Sequence, residues 1–465
     1  NYELIYNHEE LQYTGLDINS YFEEYAIQEV INDLVEEKGI SENVAFQTVM
    51  NGGVRIYTTL DSDAQQKLDE MFKDQERFQS YPEMFVDSPE TPEAGCAVLD
   101  NRNHCIVAMQ GGYGEKTANM VFNRAVDSRK QPGSSIKPLA VYAPAIELNI
   151  CTGATIIKDE PVKMLPGSDD YWPRNAYSGY YGNMAMRDCL KISNNVPAVK
   201  VLSLVGVENA KSFLTQMGLP LTKDDSGLAL GLGAFSVGVS PLQMANAFMT
   251  FPNGGQFTKA KTYSRVTDAD GNVLLENNPE KNGDFTKVFE PSTAFMMQKI
   301  MEEVMIWGTG GHSYRGTAVN AGVVYNEAGE KIPTSGKTGT TDNQKDEWII
   351  EQTPYYTTAA WYGFDNRIKS TYIIWDDLFL IHGLVGDYMQ YIHRDLPPID
   401  WTRPADIIEL QVSTVTGQLA TGGCGAYART EYFKAGSPLT PVQSCPLHSK
   451  SGAGINYLVS DAGGD

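Results

Sequence analysis

The spacing of apolar residues predicts helices and strands that occur in blocks along the chain. Apolar positions recur at helical spacing over residues 20–38, whereas residues 54–60, VRIYTTL, alternate as a β-strand does. Residues 61–72 favour a short helix. Residues 78–93 are rich in Pro, Ser and Glu, which is typical of a linker. The first 90 residues therefore predict a small region of two helices and one strand, followed by a linker.

A predicted β-hairpin comes next, formed by GCAVLD, a polar turn at residues 101–103, and HCIVAMQGG. Apolar runs of helical length dominate residues 132–214. Further helices are predicted at 241–251 and 292–305, and part of a late one at 389–394. Three strand-like runs follow the long helical region, at 334–341, 347–352 and 357–364. Because short turns suffice to pair antiparallel strands, we expect an α+β fold in which one antiparallel sheet is built from both ends of the domain and is flanked by helices.

The composition narrows the class of protein. The chain of 465 residues carries 36 Lys and Arg against 58 Asp and Glu, a net charge of −22. Binding to nucleic acid needs a basic face, so a general role of that kind is excluded. No run of about 18 apolar residues occurs, so no transmembrane helix is predicted. A soluble cytosolic protein and a piece of a longer chain both stay open at this point.

The cysteines and histidines do not favour a metal site. Six of each occur, but no C-x-x-C pair and no H-E-x-x-H motif is present. We therefore expect neither a metal nor a cofactor. An even number of cysteines permits disulfides without fixing which pairs form.

A first candidate for chemistry is QPGSSIKP at residues 131–138. Ser134 and Lys137 lie three positions apart and fall on one face of a helix that begins after Pro-Gly. Backbone N–H groups at a helix start favour developing negative charge, and a desolvated lysine can accept a hydroxyl proton. The bland alternative is a surface helix, since so short a motif occurs often by chance.

A second candidate is Ser193-Asn194-Asn195, at a loop that turns into a buried helix. Ser193 could relay a proton, and the Asn195 amide could hold a substrate amide with both a donor and an acceptor. Taken alone, these residues are better explained as an ordinary helix cap.

A third candidate is the Lys337–Thr340 segment, KTGT. On a strand, Lys337 and Gly339 face the same side, and Gly339 would let a substrate backbone approach. Lys337 and the threonine hydroxyls would attract a carboxylate. A solvated polar turn is the alternative. A phosphate-binding loop is excluded, because Lys331 stands where that motif needs its first glycine.

Taken together, the three motifs favour a catalytic site over the structural alternatives. They occur in the order S-x-x-K, S-x-N, K-T-G, which is typical of serine penicillin-recognising enzymes. The chain resembles a penicillin-binding protein, specifically the D,D-transpeptidase module of a class A enzyme. The likeness extends over residues 40–440 and includes four longer segments: RKQPGS at 129–134, SNNVPAV at 193–199, GVSPLQMANAFMTFPNGG at 238–255 and GVRIYTTLD at 53–61.

The resemblance implies a catalytic role for four residues. Ser134 would be the nucleophile that attacks the carbonyl of D-Ala-D-Ala, and Lys137 would be its general base. Ser193 would pass the proton to the leaving D-Ala, with help from Lys337. The backbone N–H groups of Ser134 and Thr340 would form the oxyanion hole.

The resemblance also implies the substrate contacts. Asn195 would bind the amide of the stem peptide, and Lys337, Thr338 and Thr340 would hold its terminal carboxylate, with Gly339 between them. The expected partners are a peptidoglycan stem peptide ending in D-Ala-D-Ala and β-lactam antibiotics that imitate it. Arg129 and Lys130 are expected to add positive charge around the cleft.

For the domains, the resemblance implies a junction at residues 1–90 after an absent glycosyltransferase domain, a transpeptidase domain at 91–420 with an all-helical subdomain, and a C-terminal tail at 421–465. Glycan polymerisation is not expected of this chain. The site of action would be extracytoplasmic, with the membrane reached only through an N-terminal anchor outside this sequence. Residues 309–330 are expected to form a loop near the cleft.

Two alternatives stay open. A serine β-lactamase shares the motifs but needs a base for water, and Glu147 lies too close to Ser134 along the chain to serve. A non-catalytic β-lactam or stem-peptide sensor is the other. Disulfides can persist in an extracytoplasmic compartment, so three pairs are candidates: Cys424–Cys445, Cys96–Cys105 and Cys151–Cys189.

Overall fold

A computed structural model describes residues 18–74, 91–164, 166–341, 344–366, 373 and 379–448. The predicted linker at 78–93 falls mostly outside these residues, as does the end of the predicted tail from residue 449. Among the described residues, no helix combines the length and the apolar character that crossing a membrane requires.

The helices are α1 (Tyr21–Lys38), α2 (Glu42–Asn51), α3 (Ser62–Lys73), α4 (Ala143–Glu147), α5 (Met186–Lys191), α6 (Asn195–Val205), α7 (Val207–Gln216), α8 (Pro241–Met249), α9 (Pro279–Asn282), α10 (Pro291–Met301) and α11 (Leu380–Ile392). Short 3₁₀ turns lie at Gly133–Ile136, Leu228–Leu232, Glu302–Met305 and Gly422–Tyr427, and a π-helical turn at Pro138–Tyr142.

The strands are β1 (Arg55–Thr58), β2 (Glu93–Asp100), β3 (Cys105–Gln110), β4 (Ile156–Asp159), β5 (Gly182–Ala185), β6 (Gln256–Phe257), β7 (Tyr263–Thr267), β8 (Val273–Glu276), β9 (Thr286–Lys287), β10 (Trp307–Thr309), β11 (His312–Arg315), β12 (Ser335–Thr340), β13 (Asp346–Gln352), β14 (Tyr356–Gly363), β15 (Ile407–Ser413) and β16 (Ala428–Lys434).

The central sheet has five strands in the order β12-β13-β14-β2-β3, and every neighbouring pair is antiparallel. The predicted sheet from both ends of the domain is therefore confirmed, with β2 and β3 contributed before the helical region and β12 to β14 after it. Strand β12 lies at the edge, because β13 is its one partner in this sheet. This edge position leaves β12 accessible to the turn that carries the first motif.

Helices cover both faces of this sheet. Side chains of successive strand residues point to opposite faces. Gln352 donates to the carbonyl of Phe248 in α8 at 2.9 Å, whereas Thr358 lies on the other face and contacts Met389 Sδ of α11 at 3.1 Å. Strands β13 and β14 are buried throughout. They form the centre of the core that holds the site rigid.

The region between β3 and β12 is helical, but it is not entirely so. Strands β4 and β5 pair antiparallel within it, with Ile156 opposite Ala185. The prediction of an all-helical subdomain is therefore wrong in this detail. The pair leads into α5, and α5 ends next to the second motif, so these strands help to place Ser193.

The N-terminal region is folded rather than a plain connection. Ser20 caps α1 in a reciprocal pair of hydrogen bonds with Glu23, as the sequence pattern favours. Strand β1 pairs with β7 in a separate three-stranded sheet. Buried residues of α1, α2 and this sheet form a second small core: Val30, Ile31, Leu34, Ala45, Tyr263, Val266 and Leu275.

The C-terminal residues up to His448 are also ordered by pairing. Strand β16 pairs along its whole length with β15, so the predicted boundary at residue 420 falls between two partners of one sheet. Ser444 forms a bridge with Leu419, and Cys445 is fully buried. The expected C-terminal tail is therefore packed against the rest of the fold as far as His448.

All six cysteines are free thiols and all are buried. In the hairpin of β2 and β3, Cys96 lies opposite Gln110 and Cys105 lies opposite Asp100. The predicted Cys96–Cys105 disulfide is therefore excluded by the strand register. The predicted Cys151–Cys189 and Cys424–Cys445 bonds are absent from this structure as well.

Candidate active site

A cavity of about 630 Å³ lies beside strand β12 and collects residues from all three predicted motifs. Five of the predicted site residues line it: Ser134, Ser193, Asn195, Thr338 and Thr340. Lys137 and Lys337 are fully buried beneath its wall. A cavity of this size accommodates a peptide segment or a drug-sized molecule.

The turn that carries Ser134 packs closely against the edge strand. Gly133 has a φ of +53°, and a Cβ atom at this position would lie 2.6 Å from the carbonyl oxygen of Thr340. Only glycine fits such a backbone approach. From β13, Trp348 Nε1 donates to the carbonyl of Gln131 at 2.9 Å. The turn is therefore fixed against two strands of the sheet.

This turn presents one of its two serines to the cavity. Ser134 is half-buried and lines the cavity, whereas Ser135 is fully buried and donates its hydroxyl to the carbonyl of Pro132 at 2.6 Å. Lys137 follows Ser134 by three positions along a 3₁₀ turn, in which residues three apart lie on the same side. Ser134 is thus the hydroxyl available to a ligand.

Lys137 is held by the second motif. Its Nζ donates to the carbonyl of Ser193 at 2.6 Å and to Asn195 Oδ1 at 2.7 Å, and lies 3.3 Å from Ser193 Oγ. Burial lowers the pKa of Lys137 well below its usual value, and the nearby positive charge of Lys337 lowers it further. A lysine in this environment can accept a proton at neutral pH.

Ser193 lies between the two buried lysines. Lys337 Nζ donates to Ser193 Oγ at 2.9 Å and to the carbonyl of Thr338 at 2.8 Å. Burial lowers the pKa of Lys337 to about 7, against the opposing effect of the Glu347 carboxyl. Ser193 has a φ of +59°, a strained conformation for a residue other than glycine. In this conformation its hydroxyl lies within hydrogen-bonding distance of both lysine amines.

Asn195 begins helix α6 and keeps part of its hydrogen-bonding capacity. Its Nδ2 donates to the carbonyl of Arg174 at 2.8 Å, and its Oδ1 accepts from Lys137. One N–H and one lone pair remain for a ligand. Asn194, at the N-cap position, makes no capping hydrogen bond with its side chain, so the alternative of an ordinary helix cap does not account for the motif.

The third motif differs from its prediction at Gly339. A Cβ atom there would lie 2.3 Å from the carbonyl oxygen of Pro132 and 2.9 Å from the backbone nitrogen of Ser135. The glycine therefore makes room for the turn that carries Ser134, and the prediction that it admits a substrate backbone is wrong. Thr338 and Thr340 do face the cavity.

The positive charge at the cavity also differs from the prediction. Lys130 is buried and donates to the carbonyls of Phe364 and Asp365 at 2.6 and 3.0 Å. Neither Lys130 nor Arg129 belongs to the cavity lining, which instead includes Arg174 and Arg315. Short-range sequence patterns could not indicate that Arg174 and Arg315, rather than Arg129 and Lys130, line the cavity.

Arg315 and Thr317 come from the segment that the sequence placed near the cleft. Part of that segment is a β-hairpin of β10 and β11 rather than a loop. Thr317 Oγ1 accepts a 2.7 Å hydrogen bond from the Thr338 hydroxyl, which links the hairpin side of the cavity to β12. The prediction of proximity is confirmed.

A buried pair of a glutamate and a histidine was not predicted. Glu347 and His382 both line the cavity, are at most 2% exposed, and approach to 2.8 Å between Oε1 and Nε2. Burial raises the pKa of Glu347, although His382 and the Thr340 hydroxyl act in the other direction. Residue 382 lies far along the chain from every motif, so no local pattern could have indicated it.

Comparison with known proteins points to the same family as the three motifs. The penicillin-binding protein transpeptidase domain matches residues 94–367. The chain is 32% identical over 407 residues to a penicillin-binding protein 1A of Clostridium botulinum, covering 85% of this chain and 46% of that one. It is 29% identical over 452 residues to a penicillin-binding protein 1A of Clostridium perfringens, covering 92% and 51%. The chain spans about half the length of these relatives.

Solved structures share the fold. Penicillin-binding protein 1A from Haemophilus influenzae has a TM-score of 0.70 at 21% identity, covering 90% of this chain and 77% of that one. PonA1 from Mycobacterium tuberculosis in complex with penicillin V has a TM-score of 0.62 at 20% identity, covering 82% and 96%. With a domain match over more than half of its residues, this chain belongs to the penicillin-binding protein transpeptidase family.

Proposed function

We propose that this chain is a serine D,D-transpeptidase that cross-links peptidoglycan stem peptides and is acylated by β-lactams. One observation carries the proposal: two buried lysines, Lys137 and Lys337, converge on the Ser193 hydroxyl, and both Ser193 and the half-buried Ser134 line the same cavity. A nucleophile, a base and a relay are then available without histidine.

In the acylation step, Ser134 Oγ attacks the carbonyl carbon between the two D-Ala residues while its proton moves to neutral Lys137. Ser193 gives its proton to the nitrogen of the departing D-Ala, and protonated Lys337 replaces that proton. The backbone N–H groups of Ser134 and Thr340 would stabilise the oxyanion. The products are a Ser134 ester and free D-Ala.

In the second step, the amine of another stem peptide attacks the ester, loses a proton to the same buried groups, and releases Ser134 with a new amide bond. Asn195 would orient the donor peptide, and Thr338 and Thr340, with the positive charge of Lys337, would hold its terminal carboxylate. We place this activity on the outer face of the cytoplasmic membrane, and we expect no glycan polymerisation from this chain.

Intact-protein mass after incubation with a penicillin tests the nucleophile. We expect a stable adduct of one penicillin on the wild type and none on Ser134→Ala. Ser135→Ala is the matched control, because its hydroxyl is turned into the protein, and it should acylate like the wild type. Equal adduct on Ser134→Ala would reject the assignment.

The same measurement separates the alternatives. Rapid loss of the adduct with hydrolysed penicillin in solution would indicate a β-lactamase. A wild type that binds penicillin without forming an adduct would indicate a sensor. Incubation with lipid II, followed by electrophoresis of the glycan, tests the expectation that this chain polymerises no glycan.

A further inference from the structure

The strongest unassigned cluster lies in the C-terminal unit, away from the cavity lining. Cys424 lies in the Gly422–Tyr427 turn, and Cys445 and His448 come from the segment that packs on it. One ligand atom from each residue lies within 4.8 Å of the others. Both cysteines are at most 2% exposed, whereas His448 is partly exposed.

The spacing of these atoms matches a tetrahedral metal site. Cys445 Sγ lies 3.4 Å from His448 Nδ1. With metal–sulfur and metal–nitrogen bonds of about 2.3 and 2.0 Å, a tetrahedral Zn²⁺ site separates these two atoms by about 3.5 Å. Cys445 and His448 therefore already lie at the spacing of two ligands of one ion, and Cys424 Sγ lies within 4.8 Å of both.

The backbone is arranged to support these ligands. Thr421 N–H donates to Cys424 Sγ at 3.3 Å, and the Thr421 hydroxyl donates to the carbonyl of His448 at 3.1 Å. Cys445 N–H donates to the carbonyl of Leu419 at 2.8 Å. The turn that carries Cys424 and the segment that carries Cys445 and His448 are thus both hydrogen-bonded to residues 419–421. The ligands are therefore held in place without a bound ion.

Several polar groups surround the sulfur of Cys445. The side chains of Thr416, Ser413 and His448 and the backbone of Leu447 hydrogen-bond to it. Donors around a sulfur stabilise the negative charge that cysteine carries when it binds a metal.

We propose that Cys424, Cys445 and His448 bind a structural transition-metal ion, with Zn²⁺ as the ion that suits two thiolates and an imidazole. The fourth position would be taken by water or by a further ligand. The sequence predicts no metal site, because no C-x-x-C motif is present. Cys424 and Cys445 are distant in the chain, and only folding brings them together.

The competing chemistry is the Cys424–Cys445 disulfide that the sequence suggested. Forming it would bring the two sulfur atoms to about 2.0 Å and release two electrons to an oxidant. It would leave the imidazole of His448 without its thiol partner. The histidine and the hydrogen bonds to both sulfurs therefore favour the metal over the disulfide.

The ion would stabilise the side of the fold that supports the cavity. Thr414 hydroxyl, at the end of β15, donates to the carbonyl of Gly310 in the turn of the β10–β11 hairpin at 2.8 Å. Tyr427, at the end of the cysteine turn, contacts the ring of His312 with a centroid distance of 5.6 Å. The same hairpin ends at Arg315, which lines the cavity.

The test uses the full chain without a histidine tag, purified without chelator and analysed for metal by mass spectrometry. We expect about one zinc ion per chain in the wild type and less than about a tenth of that in Cys445→Ser and His448→Gln. Cys105→Ser, a buried cysteine outside the cluster, is the matched control and should retain the ion. Penicillin acylation of each variant reports whether the fold is intact.

A second measurement does not depend on the variants. Replacement of the ion in the wild type with Co²⁺ should give sulfur-to-cobalt charge-transfer absorption and tetrahedral d–d bands. A mass 2 Da below that of the reduced chain, without metal, would show the disulfide and overturn the proposal. Six reactive thiols with no ion bound after incubation with Zn²⁺ would overturn it too.

Discussion

The hydroxyl of Thr340 donates a 2.7 Å hydrogen bond to Oε2 of Glu347, the residue directly opposite it in the neighbouring strand. Thr340 lines the cavity at the place where we expect the carboxylate of a ligand. The proton of this hydroxyl is therefore already donated to Glu347. A ligand carboxylate bound at Thr340 would have to compete with Glu347 for it.

Replacement of Glu347 by glutamine should strengthen binding of ligands that carry a carboxylate. The amide can donate to Thr340 Oγ, which frees the hydroxyl proton for the ligand, and it removes a group that can carry negative charge. We expect the second-order rate of penicillin acylation to rise about threefold to tenfold at pH 8, the effect of one hydrogen bond of ~1 kcal/mol.

A penicillin methyl ester, which lacks the carboxylate, serves as the control ligand and should show no such gain. Thr340→Val should remove the gain from Glu347→Gln in the double variant. Equal gains with the free acid and the ester would contradict this account.

The rate of acylation should fall as the pH rises through about 7. Lys337 must be protonated to return a proton to Ser193, and burial lowers the pKa of Lys337 to about 7. Above this pH Lys337 is a neutral amine, which can no longer transfer a proton to Ser193. Stopped-flow acylation between pH 5.5 and 9.5 would show the falling limb.

Lys337→Gln should lower the rate by about 10² or more and remove this limb. Lys331→Gln, on the exposed chain before β12, is the control and should keep the wild-type profile. A falling limb that persists unchanged in Lys337→Gln would assign it to another group.

Gly339→Ala should damage the site through the protein's own backbone. The added methyl group would lie 2.3 Å from the Pro132 carbonyl and force the turn that carries Ser134 away from β12. We expect a loss of about 1–3 kcal/mol in unfolding free energy, as for overpacking, and a large loss of penicillin acylation.

Gly227→Ala is the matched control, since a Cβ atom there would meet nothing within 4 Å and its φ is negative. Acylation rates and denaturant unfolding of both variants provide the measurement. An active and stable Gly339→Ala enzyme would show that the turn is not held by this contact.

Glu351→Gln should stabilise the protein at high pH. Among the described residues, neither carboxyl oxygen of the fully buried Glu351 has a hydrogen-bond partner, and burial raises its pKa to about 8. Between about pH 4.5, where the unfolded chain ionises, and pH 8, the native state binds more protons, so stability falls as pH rises. The penalty is absent at low pH and complete above pH 8.

Melting temperatures at pH 5 and 8.5 test this sign. Wild type and Glu351→Gln should differ little at pH 5, and the variant should be clearly more stable at pH 8.5, by up to ~5 kcal/mol. Glu280→Gln, an exposed carboxyl on α9, should change neither value. The same difference at both pH values would exclude ionisation of Glu351 as the cause.

The sequence by itself determined the family, the central sheet and the main site residues. Apolar alternation is a local property, so the strands that became β2, β3 and β12 to β14 could be located and paired. The three motifs indicated Ser134, Ser193 and Thr340, which line the cavity, because each motif is a set of residue types at a fixed short spacing.

Only the tertiary structure decided which groups meet across long stretches of chain. In the folded protein the side chain of Lys130 points into the core, whereas Arg315 lines the cavity. Gly339 leaves space for the carbonyl of Pro132. It also brought His382 to Glu347 and gathered the cysteine cluster. These contacts depend on packing between distant elements, and packing is a property of the whole fold that no local spacing of residues encodes.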